Sequence, residues 1–353
     1  MTDIEKENHI LVCDIKENDN IDSDYLVTEK RFGTTRRGDI FLNIIIADKS
    51  GEIEAKVWDN AEAMSELFSV GDIVRIKGMA SVFKNQLQLK ISEIVKVKAF
   101  SQFNDLTLFL EASDRPASDM LAELKKLLLT IKNRHLKKLC NLFFEDEQFI
   151  EKFKKWPGAK GIHHAYLGGL LEHVLSVCNL AKKVGEHYGE ILDSDILLSG
   201  AFIHDIGKIR ELSIDKNSID YTDEGRLIGH VVLGLQFLDI KIGELKDFPN
   251  ELKLKMEHII ASHHGELNFG SPKRPKFLEA VVIHFLDDLD AKVNGIFKFM
   301  IKDKNSGSWT DFNRLLERFF FKGECFENDS EIGEEDIDEN KAYDNRQLSF
   351  LNK

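Results

Sequence analysis

The strongest constraint on this 353-residue chain is a change of hydrophobic period near residue 100. Before it apolar residues alternate; after it they recur at helical spacing. A sequence with both periods in separate blocks builds a β unit followed by a helical one. Phe41 to Ala47 is rich in branched residues, and Asp48-Lys49-Ser50-Gly51 reads as a turn. Glu52 to Trp58 alternates, with Ile53, Ala55 and Val57 on one face. A short helical stretch covers Asn60 to Phe68. Gly71-Asp72 turns into a strand over Ile73 to Gly78, and Asn85-Gln86 separates that strand from Leu87 to Ile91. With a strand starting near Tyr25, five short strands with one helix after the third suit a small Greek-key barrel.

Beyond residue 100, Asp114 and Pro116 to Ser118 carry helix-start signals ahead of Met120 to Leu129, and a second helix runs near Leu136 to Phe144. Residues 99–150 read as a helical connector between the barrel, 21–98, and an almost wholly helical domain, 151–323. Residues 1–20 are polar and read as a flexible N-terminus. The last thirty residues hold ten acids and three bases and read as an acidic, disordered tail, 324–353. The tail carries more than half of the net charge of −13, so the total does not exclude nucleic acid. Residues 25–98 hold twelve bases and ten acids, and a binding groove needs only local positive charge. The 42% apolar and 31% charged fractions exclude fibrous and wholly disordered classes. No apolar run approaches the roughly 18 residues of a membrane helix, and Met1 to Ile10 is too polar for a signal peptide. Cys13, Cys140, Cys178 and Cys325 have no paired spacing, so the expected setting is a reducing cytoplasm.

Histidine placement carries the chemistry. Ten of the twelve histidines lie between His163 and His284. His204-Asp205 sits in a helical-looking segment, where neighbouring side chains about 100° apart can converge on one ion at the helix edge. Imidazole with carboxylate suits manganese, iron, zinc or magnesium rather than a soft-metal site. One dipeptide is weak, but it stands in a series: His173, His204-Asp205, His230, His263-His264, and Asp287-Asp288 with Asp290.

That order resembles the HD-domain metal-dependent phosphohydrolases over about residues 150–300. The resemblance implies an all-helical bundle in which His173, His204, Asp205 and Asp287 hold a first metal, with Asp288 a less suitable substitute. His230, His263 and His264 match members that hold two. Two ions about 3.5–4 Å apart would brace both oxygens of an in-line phosphoryl displacement. Lys208 follows the His-Asp pair by one turn and either neutralises a phosphate oxygen or is a solvated helix lysine. His163 and His164 either touch substrate or shape a loop. His258 reads as a core residue or a partner of a ligand, and His187 and His284 as ordinary helix residues. Glu172 and Glu279 are candidates for hydrogen bonds to ligating histidines, against plain surface or packing roles.

The β region resembles a nucleic-acid-binding OB-fold from Tyr25 to about Val97, carried by Asn43 to Ile53, Trp58, and Val70-Gly71-Asp72 into Gly78. OB-folds stack bases on aromatics and track phosphates with cations. The candidates are Phe32, Arg36, Arg37, Phe41, Lys56, Trp58, Phe83 and Lys84, each also explicable as packing or solvated charge.

The expected architecture is multidomain α+β, a five-stranded OB-fold barrel followed by an all-α HD bundle. Entered through Trp156-Pro157-Gly158 to Tyr166, and with Gly168 to His173, Ser262 to Gly265, Gly270 to Pro272 and Leu289 to Lys292, it resembles the YhaM-type 3′→5′ exoribonuclease family, also described as CMP-binding-factor-like. Gly158, where that family usually has alanine, and the long acidic tail depart from its pattern. The resemblance implies hydrolysis of single-stranded RNA, and also single-stranded DNA, to nucleoside 5′-monophosphates. It implies one or two divalent ions, manganese first with iron, cobalt or magnesium as alternatives, and Asp205, Lys208 and His230 in catalytic roles, His230 or His264 serving as proton donor. A cytoplasmic, membrane-free, homo-oligomeric state is expected. The alternatives are an HD phosphohydrolase of free or cyclic nucleotides and a non-catalytic single-strand-binding accessory protein.

Overall fold

The structure, a computed structural model, describes residues 9–35, 37–97, 106–161, 163–215, 218–303 and 305–323. The first eight residues, Arg36, the start of the expected connector and the acidic tail lie outside the described residues. Strands β1 (Asn20–Thr34), β2 (Ile40–Asp48), β3 (Gly51–Val57), β4 (Ile73–Phe83) and β5 (Gln86–Lys96) close into a barrel in the order β1-β2-β3-β5-β4, and the short helix Ala61–Glu66 follows β3. Alternation explains the closure: Leu42, Ile44, Ile46, Ala55, Val57, Ile76 and Leu89 are buried inside it, so the residues between them face outward. The β4–β5 hairpin turns at Lys84 and Asn85, with φ of 52° and 62°, as in a two-residue type I′ turn. The sequence placed this break at Asn85-Gln86, but Gln86 already pairs with Phe83.

The helices Ala117–Leu128 and Arg134–Glu145 lie in the expected connector, and Glu147–Phe153 straddles its end; Met120, Leu124, Leu139, Phe143 and Phe153 share one buried core with Leu170, Val174, Phe202, Ile260 and Ile283. The apolar stripes that identify these helices are the faces they bury against the HD helices. The segment before them is tied on both sides. Phe109 packs with Leu26 and Ile73 of the barrel, and Leu167 N–H donates to the Glu111 carbonyl at 2.9 Å.

The region after 150 is less uniformly helical than its pattern suggested. A hairpin, Leu212–Asp215 with Ser218–Tyr221, interrupts it and pairs Ile214 with Ile219. Four-residue strands are too short for period alone to reveal. After Lys302 no helix follows among the described residues, since Asn305, Gly307 and neighbouring serines break the pattern. The described residues from 296 to 323 belong to a second compact unit, in which Trp309 pairs with Phe321 and Asn313 with Arg318. Among the described residues no helix is long and apolar enough to cross a membrane.

Candidate metal centre and nucleic-acid interface

Helix termini and two mid-helix positions place the clustered side chains. His173 lies within Gly169–Tyr188 and Asp287 within Leu278–Lys302. His204 caps the C-terminus of Ser194–Ile203, and the following turn presents Asp205. His230 opens the helix His230–Gly243, and His263 caps Asn250–Ser262. Gly207 permits this gathering: a Cβ there would lie 2.0 Å from the His230 carbonyl oxygen.

Three groups of ligand-type atoms result, each within a 4.8 Å span; one, His164 with His173 and Asp290, is closed by its own hydrogen bonds, and two are open. In the first open group, His173 Nε2 lies 3.2 Å from His204 Nε2 and from Asp287 Oδ1, and 3.4 Å from Asp205 Oδ2. His204 Nε2 lies 3.4 Å from Asp205 Oδ2 and 3.7 Å from Asp287 Oδ1. Ligands about 2.1 Å from one ion are separated by about 3.0–3.4 Å in octahedral or tetrahedral arrangements, so all but the longest of these separations match what a shared cation would require. In the second group His230 Nε2 lies 3.2 Å from His264 Nε2. Asp205 turns its other oxygen there: Oδ1 is 3.5 Å from His263 Nε2 and 3.7 Å from His230 Nε2. One carboxylate thus faces both groups.

The opposite edge of each imidazole fixes what the inward edge must be. His204 Nδ1 donates to the Ala201 carbonyl at 2.8 Å, His263 Nδ1 to Ile260 at 2.9 Å and His264 Nδ1 to Phe269 at 2.9 Å. His173 Nδ1 donates to Asp290 at 2.7 Å and His230 Nδ1 to Glu211 at 2.8 Å. A carbonyl or carboxylate only accepts, so Nδ1 carries the hydrogen in all five rings and each neutral ring turns an Nε2 lone pair inward. Lone pairs facing each other at 3.2 Å repel unless a cation lies between them. Both oxygens of Asp205 and Nε2 of His263 are also buried without a hydrogen-bond partner. This donor set fits divalent cations.

The electrostatics agree. Burial opposes ionisation of Asp205 and Asp287, yet the Lys208 ammonium and the neighbouring imidazoles hold Asp205, and His173 and His204 hold Asp287, well below the ordinary carboxylate value. Burial likewise opposes charge on His173 and His204, but the carboxylates hold His173 well above its ordinary value and His204 up to about 9, so without a cation these rings take up protons that a bound cation would displace to free the Nε2 lone pairs. In the second group burial and the adjacent rings push His263 well down and His264 down. The first group is an anionic hole; the second is a neutral nitrogen face.

The structure brings together every histidine and aspartate the resemblance placed in the centre. Asp288 does not join them and pairs with Lys292 at 2.7 Å. Lys208 is buried rather than solvated, its ammonium 2.6 Å from Asp205 Oδ2, an ion pair off the hydrogen-bonding direction. Glu279 accepts the Asp193 N–H, and Glu172 makes no hydrogen bond to a ligand-group histidine. The carboxylates that hold such histidines are Asp290 and Glu211. His284, taken for an ordinary helix residue, donates Nδ1–H to the His263 carbonyl at 2.8 Å, and His258 accepts the Lys276 N–H at 2.9 Å.

On the barrel, Phe41 stacks on Trp58, with centroids 4.7 Å apart at 29°. The Phe41 ring covers Gly33, where a Cβ would come within 2.3 Å of it. Lys56 bonds Gln88 at 2.8 Å, and its ammonium lies 5.6 Å from the Phe83 ring, as does that of Lys84. Phe32, Trp58 and Phe83 are exposed, as is Arg37; Arg36 lies outside the described residues. The register also sets Arg31, Asn43, Lys56 and Lys90 in one cross-strand row on the outer face. Arg31 and Lys90 did not stand out in the sequence, because a lone cation in a strand signals nothing until the register aligns it.

Residues 170–292 match the HD domain family, and residues 26–97 match the OB-fold nucleic acid binding domain family. The class is therefore an HD-domain hydrolase, dependent on divalent metal, that carries a single-strand nucleic-acid-binding barrel. The 3′-5′ exoribonuclease YhaM of Bacillus subtilis (strain 168) is 32% identical over 305 residues, 86% of this chain and 95% of that protein. The protein of the same name from Bacillus pumilus (strain SAFR-032) is 32% identical over 314 residues, 89% of this chain and 97% of its own. The chain belongs to the YhaM 3′-5′ exoribonuclease family.

Proposed function

We propose that this protein removes nucleoside 5′-monophosphates from the 3′ end of single-stranded RNA, and of single-stranded DNA, in the cytoplasm. In this reading two divalent ions, manganese foremost, would be held, with Asp205 contributing to both sites. His173, His204, Asp205 and Asp287 would hold the first; His230, His263 and His264, with Asp205, would hold the second. When bound, such ions supply Lewis acidity toward the phosphoryl oxygens and lower the pKa of the attacking water. The observation that carries the reading is the single carboxylate whose two buried oxygens, neither of them hydrogen-bonded, face two separate sets of imidazole nitrogens.

The side chains have distinct tasks. Asp290 and Glu211 fix the tautomers of His173 and His230. Lys208 keeps Asp205 ionised between the two groups. His230 cannot use Nε2 both to coordinate and to donate a proton, and the 3.2 Å approach of His264 favours coordination for both rings. On the barrel, the Phe41–Trp58 pair and Phe83 would stack bases while Arg31, Arg37, Lys56, Lys84 and Lys90 follow phosphates. Phe32, exposed on the barrel, and Arg36, by its sequence position alone, are further candidates.

The test uses 5′-labelled single-stranded RNA with Mn²⁺, beside Asp205→Ala and an EDTA control. A ladder shortening from the 3′ end, absent in both controls, supports the reading. Intact RNA with hydrolysis of free nucleotides would move the assignment to a nucleotide phosphohydrolase.

A further inference from the structure

His163 sits beside the candidate centre and belongs to neither ligand group. Its ring centroid lies 6.2 Å from that of His173, and its charge would be felt by Lys208, Asp287 and Asp205. The ring is only partly buried, and neither nitrogen forms a hydrogen bond among the described residues. The five ligand-group histidines each have Nδ1 tied to the protein, so His163 stands apart as an uncommitted imidazole at the edge of the centre.

The next residue shows that this placement is built. His164 is 3% exposed and has a φ of +49°, a left-handed conformation rarely adopted by a non-glycine residue. Four interactions hold it there. Its N–H donates to Asn294 Oδ1 at 2.9 Å, and its carbonyl accepts the Gly158 N–H at 2.8 Å. Its Nδ1 meets the Tyr166 hydroxyl and its Nε2 meets Asp290, each at 2.9 Å. Cβ atoms at Gly158 and Gly169 would lie 2.8 Å from His164 Cβ and 2.1 Å from its carbonyl oxygen. A strained residue locked on every side persists when its surroundings over-determine it, and such residues cluster at functional sites. Asp290 also holds His173, so the anchor under His163 and a ligand-group ring share one carboxylate.

We infer that His163 is a substrate-contacting residue, which donates an imidazole N–H to a non-bridging oxygen of the terminal phosphodiester, while the His164 anchor fixes its position. The inference rests on the phosphodiesterase reading of the centre. A neutral imidazole carries one N–H, and neither nitrogen of His163 is committed to the protein among the described residues, so the ring can donate. A positioned neutral donor strengthens its hydrogen bond as charge develops on the phosphoryl oxygens.

The experiment compares wild type, His163→Ala and His163→Asn as full-length protein. Mn²⁺ binding and AMP binding to the Mn²⁺-loaded protein are measured by calorimetry, and RNA cleavage by single turnover. His163→Ala should leave Mn²⁺ stoichiometry and affinity unchanged, weaken AMP about tenfold, and slow cleavage about 100- to 1,000-fold. His163→Asn, which keeps a side-chain N–H, should recover part of both losses. AMP affinity and cleavage rate within threefold of wild type would overturn the inference. So would parallel loss of Mn²⁺, which would make His163 a support of the ligands. Wild-type protein that leaves RNA intact would fail the exonuclease reading instead, and the AMP comparison would still decide whether His163 contacts phosphate.

Discussion

At the scale of single residues, the two ligand groups differ in what holds them, and the difference is testable. Asp290 fixes His173 in the first group; Glu211 fixes His230 in the second, accepting both its ring and its backbone N–H. Removing the carboxylate behind a ligating histidine typically costs 10- to 100-fold in metal affinity. Asp290→Asn should therefore weaken one step of a Mn²⁺ titration and Glu211→Gln the other. If both variants weaken the same step, the assignment of two separately supported ions is wrong. The gathering of these residues was legible in the sequence, because His173, His204-Asp205 and Asp287 stand in a recognisable order. Their supports were not. Asp290 and Glu211 look like any helical carboxylate, and the sequence pointed to Glu172 and Glu279, which point elsewhere. A hydrogen bond between residues 117 positions apart is set by tertiary packing, and no local pattern encodes it.

At the scale of elements, the centre depends on how closely helix ends approach. Gly207 packs against the first turn of His230–Gly243 with no room for a side chain. Gly207→Ala forces backbone against backbone, so it should destabilise the fold by about 1–3 kcal/mol and separate His230 from Asp205. Urea unfolding should show the lower midpoint, and the His230 side of the centre should lose Mn²⁺ first. The helices before residue 154 are structural walls, and they give a pH-dependent contrast. Asp146 caps Glu147–Phe153, accepting the Phe149 N–H, and pairs at 2.9 Å with the buried Lys241 ammonium. Burial pushes its pKa up, but these two partners outweigh burial and hold it below the ordinary value. A carboxyl with a depressed folded pKa stabilises fully above the unfolded pKa and loses that contribution as pH falls through the folded value. Asp146→Asn should cost about 2 kcal/mol at pH 7, and the gap should shrink below about pH 4. A gap unchanged at pH 3 would show that the ion pair contributes nothing. Elements of this kind were legible wherever the period ran for ten residues or more. The Leu212–Tyr221 hairpin was not, because four-residue strands offer only two alternations each.

At the scale of the whole molecule, the barrel and the helical domain divide binding from chemistry. Two folds with separate cores, one lined inside by β-branched residues and one built on helix faces, can each be perturbed without dissolving the other. In the proposed activity the barrel contacts nucleotides upstream of the 3′ end, so its contribution should appear only when the strand is long enough to reach it. Trp58→Ala and Lys56→Ala should therefore raise KM for a long RNA several-fold, leave the rate at saturating RNA nearly unchanged, and have no effect on a dinucleotide. Loss of one phosphate contact should also reduce the slope of log affinity against log salt by about 1 for Lys56→Ala. Trp58→Ala should leave that slope intact, because stacking releases no counterions. His204→Ala should show the reverse pattern, with binding of long RNA retained and cleavage of every substrate lost. Steady-state kinetics on strands of graded length, at two salt concentrations, would read all of these together. A barrel variant that slows cleavage of the dinucleotide as much as His204→Ala would mean that Trp58 or Lys56 acts in the chemistry itself and that the division does not hold.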